Sequence, residues 1–302
     1  MAQTLFKQSC IQPNSPVWPS RLQKLGKAPK QLWVCGDGPG DRPSVAVVGT
    51  RRASSEALGF TRELCAALAQ VGLTIVSGGA HGIDTAAHQG ALDGDGTTTV
   101  VLASPLDRPY PRRNHALFST IVDRGGVLLS EQQPGQAIAS WMFVQRNRLI
   151  AALSQVVLVV QAPVRSGALI TAKWAQDLDI PVFFVPASPW DPRGQGALSL
   201  AKRGGLICTS VQDVLSHPAL RGLKKRPRMH ENPMLFEQKT NNIKLLDGDQ
   251  QQIATLLKQG PMDRDGLIQA SGLSAKRVQT ALVMLSLAAR VQELPGGRFR
   301  LR

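Results

Sequence analysis

Six short, almost uniformly aliphatic runs recur through the first two thirds of the chain: VAVVG at 45–49, LTIVS at 73–77, TVVLA at 99–103, GVLLS at 126–130, VVLVV at 156–160 and VFFVP at 182–186. A strand wetted on one face alternates apolar with polar residues, so runs this uniform belong to a sheet covered on both sides. Between the first two, Ala57, Phe60, Leu64, Ala67, Leu68 and Val71 recur at helical spacing, with Ser54 or Ser55 placed to cap the start. Comparable helical segments fall at 84–93, 112–122, 139–153 and 167–177. The alternation predicts an α/β fold, a Rossmann-like doubly wound and mostly parallel sheet over residues 44–216. Residues 1–43 contain Pro and Gly with weak periodicity and read as an irregular N-terminal arm.

The pattern stops at 217–247, where RGLKKRPRMHENP places five basic residues between 221 and 228 beside two prolines, as a basic linker would. Beyond it, DQQQIATLLKQG, DRDGLIQASG and SAKRVQTALVMLSLAAR read as three short helices, and VQELPGGRFRL as a hairpin turning at Gly296 and Gly297. Three helices and a hairpin predict a winged-helix domain over 248–302. In the third helix Val278, Leu282, Leu285 and Ala289 face a small core, leaving Lys276, Arg277, Gln279 and Thr280 outward. That face suits either a DNA groove or a protein-docking role.

The formal net charge is +14, which favours a polyanionic partner, most commonly nucleic acid. In a parallel sheet the strand-to-helix turns share the carboxyl edge, where ligands bind. The loops after the strands gather Arg51, Arg52, Arg108, Arg112, Arg113 and Arg165 there, with Lys173 nearby, and the helix carrying FVQRNR adds Arg146 and Arg148. Gly49 lets the chain turn, but GTRR lacks the further glycines that seat a buried dinucleotide. Its arginines suit a phosphate passing across the surface, or an internal pair with Glu56. In SGGAHGID, Gly78, Gly79 and Gly82 permit close backbone approach, Ser77 is a further donor and Asp84 is placed to cap a helix. This makes a candidate phosphate nest. Arg146 and Arg148, two apart on a helix, point to opposite sides, so one is expected to meet phosphate and the other to pair internally, with Asn147 holding a loop. Phe143 can stack a base or join the core.

The chain carries no GxxxxGK[ST], HExxH or GxSxG motif, and Cys10, Cys35, Cys65 and Cys208 are far apart. ATP hydrolysis, common hydrolase chemistry, structural zinc and a disulfide scaffold therefore lack their groups, and His81 with His88 makes no metal pair. No apolar run reaches the ~18 residues of a membrane span, so the reading is of a cytoplasmic protein without metal or cofactor.

Taken together, VAVVGTRRAS, SGGAHGIDTAAHQGAL, YPRRN, LLSEQQPG, FVQRNRLIAALS and SGALITA resemble, in order and spacing, the DNA-processing protein A (DprA/Smf) family across about residues 16–215. PVWPSRL at 16–22 looks like the family's entry segment, and the C-terminal residues resemble its winged-helix tail. The resemblance implies a homodimer that binds and protects single-stranded DNA and loads the RecA recombinase during natural transformation. It places Arg51, Arg146, Asn147 and Arg148 along the DNA groove, with Gly78, Gly79, Ser166 and Gly167 at its floor. Gln161 stands where many relatives carry glutamate, and Ala187 where glycine is usual. The turn at 103–107 lacks the usual glycines. The candidate site comprises the groove and floor residues Arg51, Gly78, Gly79, Arg146, Asn147, Arg148, Ser166 and Gly167 together with Gly49, Arg52, Ser77, Arg112, Phe143 and Lys173. The alternative is a nucleoside monophosphate glycosidic-bond hydrolase of the lysine-decarboxylase-like fold, but Lys173 lies near the place of that family's catalytic acid, and such chemistry needs a carboxylate. A transcription factor with a small-molecule sensor domain is weaker, because a sensor needs an enclosed pocket.

Overall fold

In the computed structural model, which describes residues 6–220, 248–287, 290–294 and 297–301, each aliphatic run becomes a strand. The first unit proceeds through β1 (Ser9–Ile11), β2 (Leu32–Cys35), β3 (Ser44–Val48), α1 (Ser55–Gln70), β4 (Thr74–Ser77), α2 (Ile83–Asp93), β5 (Thr98–Leu102), α3 (His115–Asp123) and β6 (Val127–Ser130). It continues with α4 (Ser140–Ala152), β7 (Val156–Val159), α5 (Gly167–Asp177), β8 (Val182–Phe184), α6 (Gln195–Leu198), β9 (Leu206–Ile207) and α7 (Val211–Leu215). The strands lie in the order β1-β2-β6-β5-β4-β3-β7-β8-β9, parallel from β6 through β9.

The two-residue period of a strand explains why both faces are dry. Val45 and Val47 point into one core with Leu64 and Leu68 of α1 and Ala87 and Ala91 of α2. Ala46 and Val48 point into the other, with Leu149 and Ile150 of α4 and Ala168 and Ala172 of α5. Ser54 caps α1, its side chain accepting from the Ala57 N–H at 3.2 Å.

The N-terminal segment departs from the expected irregular arm. β1 and β2 form an antiparallel pair, and β2 pairs antiparallel with β6, Val34 opposite Leu129, so the segment extends the sheet. Trp18, Leu22 and Leu25 are buried in the α4–α5 core. Another departure sits after β8: a Cβ at Gly194 would fall 2.2 Å from the Ala187 Cβ, so the methyl at the unusual alanine fills the space left by this glycine.

The basic segment read as a linker lies, from 221 to 247, outside the described residues; Pro218–Leu220 before it form a short 3-10 turn. A second compact unit follows in the chain. It contains α8 (Gly248–Leu257), β10 (Met262–Asp263), α9 (Arg264–Ser271), α10 (Ala275–Leu287), β11 (Val291–Leu294) and β12 (Arg298–Leu301). The strands form a three-stranded sheet in the order β10-β12-β11, completing a winged-helix arrangement. Val278, Leu282 and Leu285 are buried as expected; Ala289 and Gly296 lie outside the described residues. Lys276, Arg277, Gln279 and Thr280 are exposed, but Arg277 is joined to Asp249 at 2.7 and 2.5 Å, which commits one of the two outward cations within the domain.

Candidate nucleic-acid interface

β3 is flanked by β4 on one side and β7 on the other, so the connections after β3 and β7 leave the sheet in opposite directions and open a crevice at its carboxyl edge. A cavity of about 350 Å³ lies there, towards the small end of the ~300–1,000 Å³ range of ligand sites. The turn after β3 contributes Gly49, Thr50, Arg51 and Arg52; the loop after β7 contributes Pro163, Arg165, Ser166 and Gly167; and α4 contributes Phe143, Arg146 and Asn147.

Three lining arginines, Arg51, Arg52 and Arg165, are solvent-exposed. Arg51 is not joined to Glu56 by an ion pair among the described residues; its Cζ stands 5.8 Å from the centroid of the half-buried Phe143 ring. Tyr110 meets the same ring edge-on at 5.8 Å. Phe143 thus belongs to the cavity wall rather than to the core, with a cation beside it. Ser166 caps α5, accepting from the Ala168 N–H at 3.2 Å. Asn147 donates to the Gly167 carbonyl at 3.1 Å, holding the loop after β7 as its place between two arginines suggested.

Arg146 and Arg148 do point apart, but both pair internally. Arg146 is buried and donates through Nη1 to the carbonyls of Gly78, at 2.6 Å, and Val101. Burial pulls its pKa down to about 10, the Asp84 carboxylate raising it and neighbouring Arg51 lowering it further. It remains cationic at neutral pH beneath the cavity. Arg148 turns the other way to Glu131, with contacts of 2.7 and 2.8 Å, outside the cavity lining. All of α4 from Arg146 to Ala152 is buried, so neither guanidinium is offered to the surface as the exposed three are.

The glycine-rich loop also works inwardly. A Cβ at Gly78 would lie 2.5 Å from Arg146 Nη1, and Gly82, at φ +78°, would place one 2.3 Å from the Thr50 carbonyl oxygen. The loop's close approach is spent on Arg146 and on the arginine-bearing turn. Ser77 is buried in β4, its hydroxyl donating to the Val47 carbonyl at 2.6 Å; Ser77, Gly78 and Gly79 do not line the cavity. Nor does Asp84 cap α2, whose N-cap is Gly82. Asp84 lines the cavity from the first turn, accepting from the Ala80 N–H at 3.3 Å. Its carboxyl is pushed above the ordinary range by burial, against the opposing pull of Arg146.

Arg112, on a short 3-10 turn, and Lys173, on α5, are exposed and outside the lining. Thr50, Pro163 and Thr171 line it without having been singled out from the sequence. Thr50 carried a local signal in its place inside GTRR; Thr171 shares a helix face with Gly167, one turn earlier. Gln161 organises the crevice rather than charging it. Its carbonyl accepts from the Thr50 N–H at 2.6 Å, its side-chain oxygen accepts from the Ser54 N–H at 3.0 Å, and its amide reaches Asp191 at 3.4 Å. Among the described residues no group of three His, Cys, Asp or Glu side chains could hold a metal ion, and no helix is long and apolar enough to cross a membrane.

The family model for DNA recombination-mediator protein A matches residues 9–218, and that for the DprA winged helix domain matches 237–297. The chain is 31% identical to Protein Smf of Synechocystis, over 97% of this chain and 80% of that protein. It is 40% identical to DNA processing protein DprA of Streptococcus pneumoniae, over 58% of this chain and 61% of that protein. Among solved structures, DprA from Streptococcus pneumoniae superposes with a TM-score of 0.66 at 36% identity, covering 71% of this chain and 75% of that one. DNA processing protein A from Helicobacter pylori, a structure described for its single-stranded DNA binding mode, gives 0.63 at 32% identity, covering 70% and 95%. The chain belongs to the DNA recombination-mediator protein A family, DprA/Smf.

Proposed function

We propose that this chain binds single-stranded DNA along the carboxyl edge of its sheet and acts without catalysing a reaction, as a recombination mediator. The observation that carries the reading is the ring of exposed Arg51, Arg52 and Arg165 around a cavity walled by Phe143. Guanidinium groups contact phosphates without regard to sequence, while an aromatic face accepts any base. The buried Arg146 adds a fixed positive charge from below. The Helicobacter pylori relative's single-stranded DNA binding supports the same substrate here, and the family's description as a recombination mediator supports the finer role. In that role a cytoplasmic homodimer protects incoming strands and loads RecA during transformation.

Fluorescence titration of the full chain with single-stranded and duplex oligonucleotides tests the reading. Single strands should bind more tightly, and Arg51→Ala should weaken them about tenfold irrespective of base sequence. Equal affinity for duplex, or an unaltered curve for the variant, removes this edge as the strand site. RecA-mediated strand exchange on strands coated with single-strand-binding protein tests the loading role; no acceleration rejects it.

One observation bears on the glycosidic hydrolase: Asp84, a carboxyl held protonated more readily by burial, faces the cavity. Glycoside cleavage ordinarily uses a pair of carboxyl groups, and Asp84 is the one carboxylate in the described lining. Lys173, near the expected place of the acid, lies outside it. Release of free base from a nucleoside monophosphate would restore that reading.

A further inference from the structure

Beyond the cavity, in the loop after β8, Trp190 is 90% exposed, the most exposed of the large hydrophobic side chains among the described residues. An indole left in water by a loose loop would mean little, but this loop is tightly tied. The Asp191 N–H donates to the Ser188 carbonyl and the Gly194 N–H to the Asp191 carbonyl, both at 3.0 Å. The Gln195 side chain donates to the Pro189 carbonyl at 3.1 Å, and the Trp190 N–H reaches the Ser188 hydroxyl at 3.3 Å. Ala187 and Gly194 close the base of the loop against each other.

The loop is also tied to the cavity. Asp191, next to Trp190, accepts from the Gln161 side chain at 3.4 Å, and Gln161 holds the turn bearing Arg51 and Arg52 through Thr50 and Ser54. Because β8 runs parallel to β7, the loop after it emerges at the same edge of the sheet as the arginines. A strand leaving the cavity towards β8 therefore meets the loop that carries Trp190, which is joined at Asp191 to the residue that organises the cavity. An exposed indole on a loop joined to the cationic rim offers its flat π face to a nucleobase, whatever the base.

We propose that Trp190 is a stacking platform for a base of single-stranded DNA lying outside the cavity, extending the bound length of strand across β8. The inference rests on the proposed strand-binding function. Stacking on an aromatic side chain strengthens binding about five- to hundredfold per base.

The test uses the full chain and thymidine oligomers of increasing length, read by fluorescence anisotropy, with Trp190→Ala, Trp190→Phe and Arg51→Ala. The expected result is that Trp190→Ala matches the parent on the shortest oligomers and falls about tenfold behind on longer ones. Trp190→Phe should recover most of the difference, and Arg51→Ala should be weak at every length. If Trp190→Ala equals the parent at all lengths while Arg51→Ala is impaired, the platform is refuted and the cavity reading stands. Equal losses for Ala and Phe, beginning with the shortest oligomers, would show a structural role for the indole and likewise overturn stacking. A change confined to sedimentation behaviour would mean that Trp190 meets a second copy of the chain, again refuting it. A parent protein that binds no oligomer overturns the function itself.

Discussion

His88 shows how far the positive charge at the site reaches into the protein. It is fully buried, with Nδ1 2.7 Å from the Thr98 hydroxyl. That hydroxyl donates to the Ile75 carbonyl at 2.7 Å, so Nδ1 carries the ring proton and Nε2 has no hydrogen-bond partner. Burial first, and the Arg146 charge second, pull the pKa down to about 3. An unfolded histidine titrates near pH ~6.5, so the unfolded chain takes up a proton that the folded one refuses. The stabilisation is complete above that pH and drains away as pH falls towards 3, by several kcal/mol on the order of ~4. Asp84, displaced upward by burial, contributes with the opposite sign. Urea midpoints measured against pH should show a shallower acid limb for His88→Gln than for the parent; parallel limbs would acquit His88. The depressed pKa of His88 was not legible in the sequence, because Thr98 and Arg146 reach it only through the fold. The same limit explains Arg146 and Arg148. Their spacing told that they face apart, yet the carbonyls of Gly78 and Val101, and the Glu131 carboxylate, come from β5 and from the residues just after β4 and β6.

Gly82 ends the glycine-rich loop and begins α2 with a positive φ, its missing side chain leaving room for the Thr50 carbonyl. Gly82→Ala should therefore be penalised twice, by backbone conformation and by collision with the turn after β3. The expected loss is about 2 kcal/mol in urea unfolding, together with weaker strand binding because Thr50 and the arginines following it are displaced. A variant of parental stability would show that the two loops are not rigidly packed. The central elements were readable: β3 through β8 are apolar on both faces, and α1, α2, α4 and α5 keep a helical period. β1 and β2 were missed because LWVC is short, flanked by Pro and Gly, and paired with β6, a strand far along the chain. The glycines of SGGAHGID were read correctly as sites of close approach. What approaches them, a guanidinium at Gly78, the Val100 and Phe118 side chains at Gly79 and protein backbone at Gly82, became visible only with the tertiary structure.

At the scale of the whole molecule, the charge of +14 overstates what a bound strand feels at the cavity. Arg146 and Arg148 are engaged internally, leaving Arg51, Arg52 and Arg165 as the exposed guanidiniums of the lining. Three phosphate contacts to a single strand predict a log–log salt slope of about −2. Titrations at several chloride concentrations measure it, and a slope near zero would mean that binding does not run through these side chains. The winged-helix fold of the second unit was legible from three short helices followed by a hairpin, and the cationic edge from the positions of the arginines after the strands. How many of those cations remain outward was not, since burial is a property of the assembled layers. The antiparallel β2 beside β6 has a practical consequence. Trimming the chain to start at Ser44, where the parallel strands begin, would strip β6 of its neighbour and leave a row of amide and carbonyl groups open to any passing strand. The segment before Ser44 is thus a selvedge, keeping the woven sheet from raveling into its neighbours.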